Sequence, residues 1–436
     1  MIAIEDNFKR YGFSALSTSP MELSSVIGNS LSEDESNPMS DVFTFEEPDG
    51  EKLSLIYDLS LPLSRFYAQN YLTLPNPYKR YQIAENVFRR EKPGSGRYKA
   101  FGQCDCDIIG KFNSTIANTE LCNLIASTLL NCGLKEDQFS VSISNRKIVQ
   151  GLINQLKITD RFQELKVIRA IDKLDRVGLK GVEDLLKKER VDISGAVTKG
   201  ANLSETQASE ILNFLKIKNL KDLKSILKNP LSTKGIKETE DLLEIISYGK
   251  YAKLIQPNFT IVRGLAYYDG FCVETNLNFK VKNPKGKEVD IGSIASGGRY
   301  DKLISRFKGA DFPGTGMSIG VDRLLFVLNQ IGSIKPKNNE PVLICILDSK
   351  YLKKYNENLN YLRENGINSE VYLDSSKNLK KQLTYADKKG CPVAIIVGAT
   401  EVKENKFTLK NLRSSKENDQ KTVSKESLID EIKKII

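Results

Sequence analysis

The chain has 436 residues, which at roughly 150 residues per domain suggests about three domains and a substantial core. Lysine and arginine number 65 against 55 aspartates and glutamates, so the net charge is +10 and a polyanionic partner is favoured. The chain contains no histidine, which excludes Ser-His-Asp triads, histidine general bases and histidine-ligated zinc.

The cysteines and the amino terminus indicate a reducing compartment. Seven cysteines are scattered with one C-x-C and no C-x-x-C spacing, so neither a disulfide framework nor a zinc site is predicted. The first residues lack the basic and then apolar pattern of an export signal, and no run of 18 apolar residues occurs. We therefore expect a soluble, cytoplasmic protein with reduced thiols and no membrane association.

Residues 13–110 alternate short apolar runs with turn chemistry, which predicts antiparallel sheet, and a Pro-Asp-Gly turn at residues 48–50 joins two of the strands. A helix follows, with Ser114 or Thr115 as N-cap and Gly133 as its stop. Residues from about 146–250 place Ile, Leu and Val every three or four positions among many charges, which predicts a helical insertion.

A polar linker is predicted at residues 331–340, and residues 341–436 alternate uninterrupted apolar runs with helical patterns. Such runs are typical of strands covered on both faces, so we expect a small α/β domain with a mainly parallel sheet. The fold class is thus α/β, with an α+β core in residues 1–330.

The segment Arg80–Gly110 reads as a strand, a Gly/Pro-rich turn and a second strand. Its loop concentrates cations beside glycines, leaving backbone and charge free to approach a phosphate. The cations are Arg89, Arg90, Lys92, Arg97 and Lys99. An exposed basic hairpin without a ligand is the equally simple alternative.

The outgoing strand carries polar side chains at every second position. Strand periodicity places Gln103, Asp105 and Asp107 on one face and Cys104 and Cys106 on the other. An amide and two carboxylates facing one way can hold an ammonium group or a polar ring. A solvated strand face is the alternative.

Two further segments place a charged residue near polar residues that could share a ligand with it. By strand alternation Asp58 shares a face with Ser60, and a charge among apolar residues there needs a partner. Arg263 precedes Tyr267 and Tyr268, which together could offer a cation and phenolic hydroxyls to one ligand. Packing is the alternative explanation for the tyrosines.

The segments SGGRYDKL (residues 296–303) and PGTGMSIGVDRL (residues 313–324) each place an arginine beside glycines. Neither contains a Walker or dinucleotide-binding fingerprint. Arg323 is expected in the first turns of a helix. Arg89, Arg263 and Arg323 would clamp a polyphosphate if the fold brings them together.

These motifs resemble those of the histidyl-tRNA synthetases, which are class II aminoacyl-tRNA synthetases. STSPMEL (residues 17–23) is similar to the dimer-forming first class II motif, Arg80–Gly110 to the second, and PGTGMSIGVDRLL to the third. RGLAYY and SGGRYD resemble the two histidine-specific signatures of the family, and the last hundred residues resemble its anticodon-binding domain.

The resemblance implies a class II antiparallel sheet with flanking helices in a catalytic domain of residues 1–330, and an anticodon-binding domain in residues 341–436. It implies a homodimer with histidine–tRNA ligase activity, using histidine, ATP, Mg²⁺ and tRNA(His). Histidine would be converted to histidyl-adenylate and then transferred to the 3′ end of the tRNA.

Carried over by position, the resemblance also assigns site residues, although no protein ligand to a metal. Catalytic roles would fall to Arg263, Arg89 and Gln103, with Arg263 stabilising charge at the α-phosphate and the histidine carboxylate. ATP would be bound by Arg89, Arg97 and Arg323. Histidine would be bound by Asp58, Ser60, Gln103, Asp107, Arg263, Tyr267, Tyr268 and Tyr300.

The chain departs from the family pattern at two positions, because Ala266 replaces an often acidic residue and Ser60 a frequent threonine. One alternative is a non-catalytic paralogue that serves as regulatory subunit of ATP phosphoribosyltransferase. Such paralogues usually lack the anticodon-binding domain and have eroded histidine signatures, whereas this chain keeps both. A general nucleic-acid-binding protein is a third interpretation, resting on net charge alone.

Overall fold

The computed structural model describes residues 1–27, 41–90, 92–187, 189–191, 197–262, 268–308, 312–334, 340–414 and 419–436. The chain forms two compact units, Met1–Ile334 and Lys335–Ile436. Half of the predicted linker, residues 335–339, lies outside the described residues. Within the described part, no helix has the length and apolar character needed to cross a membrane.

The described strands of the first unit are β1 (Ser14–Ala15), β2 (Met21–Leu23), β3 (Thr44–Glu46), β4 (Lys52–Leu55), β5 (Tyr78–Phe88), β6 (Ala100–Ile109), β7 (Phe139–Asn145), β8 (Glu189–Val191), β9 (Val197–Lys199), β10 (Ile255–Pro257), β11 (Phe271–Leu277), β12 (Val281–Lys282), β13 (Glu288–Val289), β14 (Ala295–Arg299) and β15 (Gly314–Gly320). Eight of them form one sheet in the order β1-β5-β6-β15-β14-β11-β7-β10. The outer pairs β1–β5 and β7–β10 are parallel and the pairs between them antiparallel, which confirms the predicted antiparallel core.

The described helices of this unit are α1 (Ile2–Arg10), α2 (Ser24–Ile27), α3 (Ser60–Asn70), α4 (Ser114–Asn131), α5 (Arg146–Gln155), α6 (Arg161–Asp172), α7 (Leu174–Lys187), α8 (Glu205–Leu215), α9 (Leu220–Ile226), α10 (Pro230–Ser247), α11 (Ser305–Lys308) and α12 (Val321–Gln330). The predicted N-cap of α4 is wrong by one residue. Asn113 caps the helix, because its side chain accepts hydrogen bonds from the backbone of Thr115 and Ile116.

The large sheet is apolar on one face. Cys104 and Cys106 are fully buried in a core that α1 and α4 cover with side chains such as Phe8 and Leu121. This is the face that strand alternation assigns to the two cysteines. The opposite face of β6 is therefore the one that carries Gln103, Asp105 and Asp107.

Helices α5 to α10 lie between β7 and β10 and form a second core around residues such as Ile148 and Phe214. Their apolar residues recur every three or four positions, as the sequence predicts for this segment. The short antiparallel hairpin β8–β9 inside it was not predicted. A separate small sheet has the order β2-β4-β3, and the predicted Pro-Asp-Gly turn joins β3 to β4 in it.

The second unit contains β16 (Val342–Ile346), β17 (Ser369–Val371), β18 (Val393–Val397), β19 (Lys406–Asn411) and β20 (Gln420–Ser424), with helices α13 (Leu352–Glu364), α14 (Leu379–Lys389), α15 (Ala399–Glu404) and α16 (Lys425–Lys433). Strands β17, β16 and β18 are parallel, as the apolar runs predict, and β19 and β20 add an antiparallel edge. The sequence analysis did not predict this edge, since these two strands mix polar and apolar residues.

Candidate active site

The polar face of β6 is buried beneath the surface of the first unit. Gln103, Asp105 and Asp107 are 7%, 3% and 1% exposed, so a solvated strand face is excluded. Residues Gly316 and Ser318 of β15 lie opposite Asp107 and Asp105. A buried carboxylate requires a partner, and each of the two is provided with one.

Asp107 is paired with Arg80, which is fully buried. The Arg80 Nη2 atom lies 3.0 Å from Asp107 Oδ2 and donates a 2.8 Å hydrogen bond to the carbonyl oxygen of Leu59. Register explains the pair, because Arg80 of β5 lies opposite Asp107 of β6. Sequence analysis missed Arg80, although Arg80 and Gln82 alternate on β5 as the polar residues alternate on β6.

Two tyrosines close the deep end of this pocket. The Tyr300 hydroxyl donates a 2.5 Å hydrogen bond to Asp107 Oδ1. Burial, reinforced by the nearby carboxylates, raises the pKa of both Tyr300 and Tyr268 well above the usual value, so both phenols stay neutral. The pocket therefore presents a carboxylate beside neutral hydroxyl groups, which suits a polar ring with N–H donors and acceptors.

Glycines of β14 and β15 create the space for these side chains. A Cβ at Gly316 would overlap the Asp107 carboxylate, and one at Gly314 would overlap the Tyr300 ring. A Cβ at Gly298 would stand 2.9 Å from the Tyr268 ring. The glycines of the two predicted Gly-Arg motifs thus serve close packing around the pocket.

The predicted strand conformation of Asp58 and Ser60 is wrong. Strand β4 ends at Leu55, Asp58 lies in the following loop, and Ser60 is the first residue of α3. Asp58 Oδ1 accepts a 3.3 Å hydrogen bond from the Leu61 backbone, at the amino-terminal end of that helix. The amino-terminal end of the helix provides unpaired N–H donors for the carboxylate. In a strand, by contrast, the backbone N–H groups would be bonded to a neighbouring strand.

Asp58, Asp105 and Asp107 are all close enough to Tyr268 to raise its pKa. Burial, followed by repulsion from Asp107, raises the pKa of Asp105 to about 8, and burial also raises the pKa of Asp107. Asp58, Asp107 and the guanidinium of Arg80 all act electrostatically on Asp105. A ligand that carries N–H donors could hydrogen-bond to these buried carboxyl oxygens.

A cavity lined by Gln103 and Ser318 lies beside the carboxylate pocket, since Ser318 is opposite Asp105 in the sheet. Its cations are Arg89, Arg97 and Arg323. Arg323 lies in the first turn of α12, as predicted, and donates a 2.7 Å hydrogen bond to the carbonyl oxygen of Ser293. Three guanidinium groups around one cavity suit an extended phosphate.

The Arg89 side chain is held flat between rings. Its Cζ lies 4.4 Å from the centre of the Tyr57 ring and 5.2 Å from that of Phe101, and its Nε donates to the Tyr57 carbonyl oxygen. Stacking fixes the guanidinium plane at the wall of the cavity.

The loop between β5 and β6 turns tightly beside these cations. Gly94 and Arg97 exchange two 3.0 Å backbone hydrogen bonds, and Gly96 adopts φ +64. A Cβ at Gly96 would stand 3.2 Å from Arg323 Cα, so the turn packs directly on α12. The predicted basic loop is therefore part of the cavity wall.

The structure thus brings Arg89, Arg97, Gln103 and Arg323 to one cavity, and Asp58, Asp107, Tyr268 and Tyr300 to the adjoining pocket. Arg263 and Tyr267, with Ala266 between them, lie outside the described residues, so their roles stay predictions. Arg80 and Ser318 are the site residues that the sequence analysis missed, whereas strand alternation already placed Asp105 with Gln103 and Asp107 although the family resemblance gave it no role. No group of three or more acidic or cysteine side chains able to hold a metal ion occurs among the described residues.

Comparison with known proteins gives the same assignment as the motifs. The family model for histidyl-tRNA synthetase matches residues 2–324, and the model for the anticodon-binding domain matches residues 341–435. A histidine–tRNA ligase from Pelagibacter ubique is 66% identical over 437 residues, covering 99% of this chain and 93% of that protein. A histidine–tRNA ligase from Ruegeria pomeroyi is 38% identical over 419 residues, 93% of this chain and 84% of that protein.

Among solved structures, the crystal structure of histidyl-tRNA synthetase from Nostoc sp. PCC 7120 superimposes with a TM-score of 0.75 at 26% identity, covering 100% of this chain and 94% of that one. The regulatory paralogue is not favoured, because the anticodon-binding domain is present. With a family model covering three quarters of its length and a 66% identical relative over nearly all of it, this chain belongs to the histidyl-tRNA synthetase family.

Proposed function

We propose that this chain ligates histidine to tRNA(His), and that the two adjoining cavities bind histidine and ATP. One observation carries the residue assignment: a cluster of three buried aspartates lies beside a cavity walled by three arginines. The first suits a cationic amino acid and the second a triphosphate. Gln103, which lies at their junction, is where the two substrates would meet.

Histidine binds with its imidazole between Asp107, Tyr268 and Tyr300. The neutral Tyr300 hydroxyl keeps Asp107 oriented, and the Arg80 ion pair opposes the rise in the pKa of Asp107 that burial causes, which favours a carboxylate that accepts from a ring N–H. The α-ammonium lies toward Asp58, Ser60 and Gln103. No histidine side chain competes for these contacts, since the chain contains none.

ATP binds with its phosphates against Arg89, Arg97 and Arg323. The histidine carboxylate attacks the α-phosphate, the bond to the β-phosphate breaks, and pyrophosphate leaves with its electron pair. Fixed guanidinium groups stabilise the charge that develops on the phosphate oxygens, so no protein base is needed. Arg263 contributes at the α-phosphate, and Tyr267 to the imidazole contacts, in this proposal.

Mg²⁺ would bind to this protein only together with ATP. The described residues hold no acidic cluster for a resident ion, whereas Mg²⁺ commonly binds through phosphate oxygens and water. In the second step a terminal ribose hydroxyl of the tRNA attacks the adenylate carbonyl carbon, and AMP leaves. The net charge of +10 supports the approach of the tRNA, and the reaction belongs in the cytoplasm, where tRNA is used.

We also propose that the chain forms a homodimer through the small sheet β2-β4-β3. One face of that sheet is apolar and partly exposed, with Met21, Leu23 and Phe45 at 44%, 38% and 42%. This sheet includes part of the segment that resembles the dimer-forming motif. We expect the Leu23→Lys/Phe45→Lys variant to be monomeric by light scattering; a wild-type monomer at micromolar concentration would contradict the proposal.

The test of the proposed function is amino-acid-dependent ATP–pyrophosphate exchange, with each of the twenty amino acids supplied in turn. We expect exchange with histidine alone. Arg323→Ala should raise the KM for ATP while the Kd for histidine stays within about twofold, because Arg323 lies in the arginine cavity and not in the carboxylate pocket. Folded wild-type protein that exchanges with no amino acid would contradict the ligase and favour the regulatory paralogue.

A further inference from the structure

Arg80 is a fully buried arginine whose guanidinium group is only partly hydrogen-bonded. Its relative exposure is 0%, and its Nε has no hydrogen-bond partner among the described residues. A buried ion is costly, and apolar side chains of similar volume often give equal or greater stability. The cost of burying Arg80 therefore points to a role in the site and not in the stability of the core.

One nitrogen of this guanidinium contacts both halves of the proposed histidine pocket. Arg80 Nη2 lies 3.0 Å from Asp107 Oδ2, at the imidazole end, and donates a 2.8 Å hydrogen bond to the carbonyl oxygen of Leu59. Leu59 stands between Asp58 and Ser60, the residues toward which the α-ammonium is directed in the proposed function. Arg80 therefore connects the segment at the ammonium end to the carboxylate at the imidazole end.

The start of α3 depends on such a contact, because its own N-cap side chain cannot hold it. Leu59 is the N-cap residue and makes no side-chain cap hydrogen bond, since leucine has no oxygen to offer the first N–H groups. Asp58 is tied to the same helix end through its hydrogen bond from the Leu61 backbone. Fixing the Leu59 carbonyl against β5 thus also fixes the Asp58 carboxylate.

At the imidazole end, Asp107 is held from two sides. The Tyr300 hydroxyl donates to Asp107 Oδ1, and Arg80 lies beside Oδ2. Although Oδ2 is buried, it accepts no hydrogen bond among the described residues, which leaves its lone pairs for an N–H of the ligand. The second nitrogen of the fork, Arg80 Nη1, donates a 3.4 Å hydrogen bond to Gln82 Oε1 on the same strand.

We propose that Arg80 sets the distance between the ammonium and imidazole contacts of the histidine pocket, a role that deepens the proposed function and rests on it. Arg80 is a positioning residue, because it acts through Leu59 and Asp107. A fixed distance favours an amino acid whose ammonium group and ring are separated as they are in histidine, since a preorganised site loses little entropy on binding. Arg80 is thereby also a determinant of specificity.

The first test uses two ligands that differ only in the α-ammonium group, L-histidine and 3-(imidazol-4-yl)propionate. Arg80→Lys keeps a positive charge for Asp107 but replaces the planar fork with one flexible ammonium. In calorimetry, with the propionate measured by displacement, the affinity advantage of histidine over the propionate should shrink at least about fivefold. Equal weakening of both ligands would show that Arg80 acts on Asp107 alone and would overturn the proposal.

Arg65→Lys is the matched control for that substitution. Arg65 lies on α3, and its Nη2 stands 2.7 Å from Oε1 of the buried Glu22, so it is also an arginine in a carboxylate pair. Its hydrogen bonds go to Glu22 and Gln69 and not to Leu59 or Asp107. The affinity advantage of histidine over the propionate should stay within about twofold of wild type in this variant. A loss as large as that in Arg80→Lys would overturn the proposal.

The second test changes the ligand length instead. Homohistidine has one more methylene between the ring and the α-carbon, so wild type should bind it at least about a hundredfold more weakly than histidine, and Arg80→Lys should reduce that discrimination to about tenfold. Wild type that binds both within about threefold would overturn the fixed distance, even if Arg80→Lys does not fold. In that outcome the ligase would stand, whereas wild type that neither binds nor activates histidine would overturn both.

Discussion

Burial of carboxylates around Arg80 makes the free energy of unfolding depend on pH. The pKa of Asp105 is raised to about 8, against about 4 in an unfolded chain. The folded state thus holds this proton more tightly than the unfolded state. The contribution to stability is complete below about pH 4 and is lost as the pH rises toward 8.

Asp105→Asn removes this titration while keeping the side-chain size. At pH 5 the variant should melt within about 2 °C of wild type, and at pH 8.5 it should melt at least about 3 °C higher, because the wild type then contains a buried charge. Differential scanning calorimetry at both pH values measures the difference. A difference that does not change with pH would contradict the raised pKa.

At Gly316, a single methyl group should damage histidine recognition. The added Cβ would overlap the Asp107 carboxylate and displace it from Arg80 and Tyr300. We expect Gly316→Ala to raise the KM for histidine at least tenfold, while the KM for ATP changes little. Gly94→Ala, where φ is not positive and the new Cβ meets no atom within 4 Å, controls for the loss of a glycine elsewhere in the unit. An unchanged KM for histidine in Gly316→Ala would show that Asp107 does not contact the substrate.

On the scale of elements, the loop between β5 and β6 depends on α12 for its shape. At Gly96, φ is +64 and an added Cβ would press on Arg323 Cα, so Gly96→Ala should strain the turn by about 1 kcal/mol and shift the arginines. We expect a severalfold increase in the KM for ATP, with histidine binding unchanged in calorimetry.

Gly94 offers the matched control for that experiment. It belongs to the same turn, yet an added Cβ there meets no atom within 4 Å. Gly94→Ala should therefore leave the KM for ATP close to wild type. If both variants raised the KM for ATP equally, the reduced flexibility of the loop, and not its packing on α12, would explain the effect.

Some features of the strands and helices could be predicted from the sequence, and others could not. The alternation on β6 was predictable, because successive side chains of a strand point to opposite faces of the sheet and polar residues occupy every second position of this one. The loop at Asp58 was not, since LIYDLS alternates like a strand and only the helix that begins at Ser60 interrupts it. Arg80 was missed because its partner lies on the neighbouring strand, and pairing across strands is invisible to a pattern within one strand.

At the scale of the whole molecule, all described site residues lie in the first unit, and the second unit has its own core around Ile344 and Ile395. A protein ending at Ile334 should therefore retain histidine-dependent exchange within about tenfold, while charging of tRNA(His) falls much further. Exchange and aminoacylation are measured on the same preparation. Loss of exchange from a truncated protein with native circular dichroism would show that the second unit supports the first reaction step.

The glycines packed against Asp107, Tyr268 and Tyr300 limit how the proposed imidazole pocket could be enlarged. Gly298, Gly314 and Gly316 already carry the smallest side chain, so no substitution there can deepen the pocket for a ring-methylated histidine analogue. Extra volume has to come from Tyr268 or Tyr300, and shortening Tyr300 would also remove the hydrogen bond that orients Asp107. A library for incorporating bulky histidine analogues into proteins should therefore begin at Tyr268.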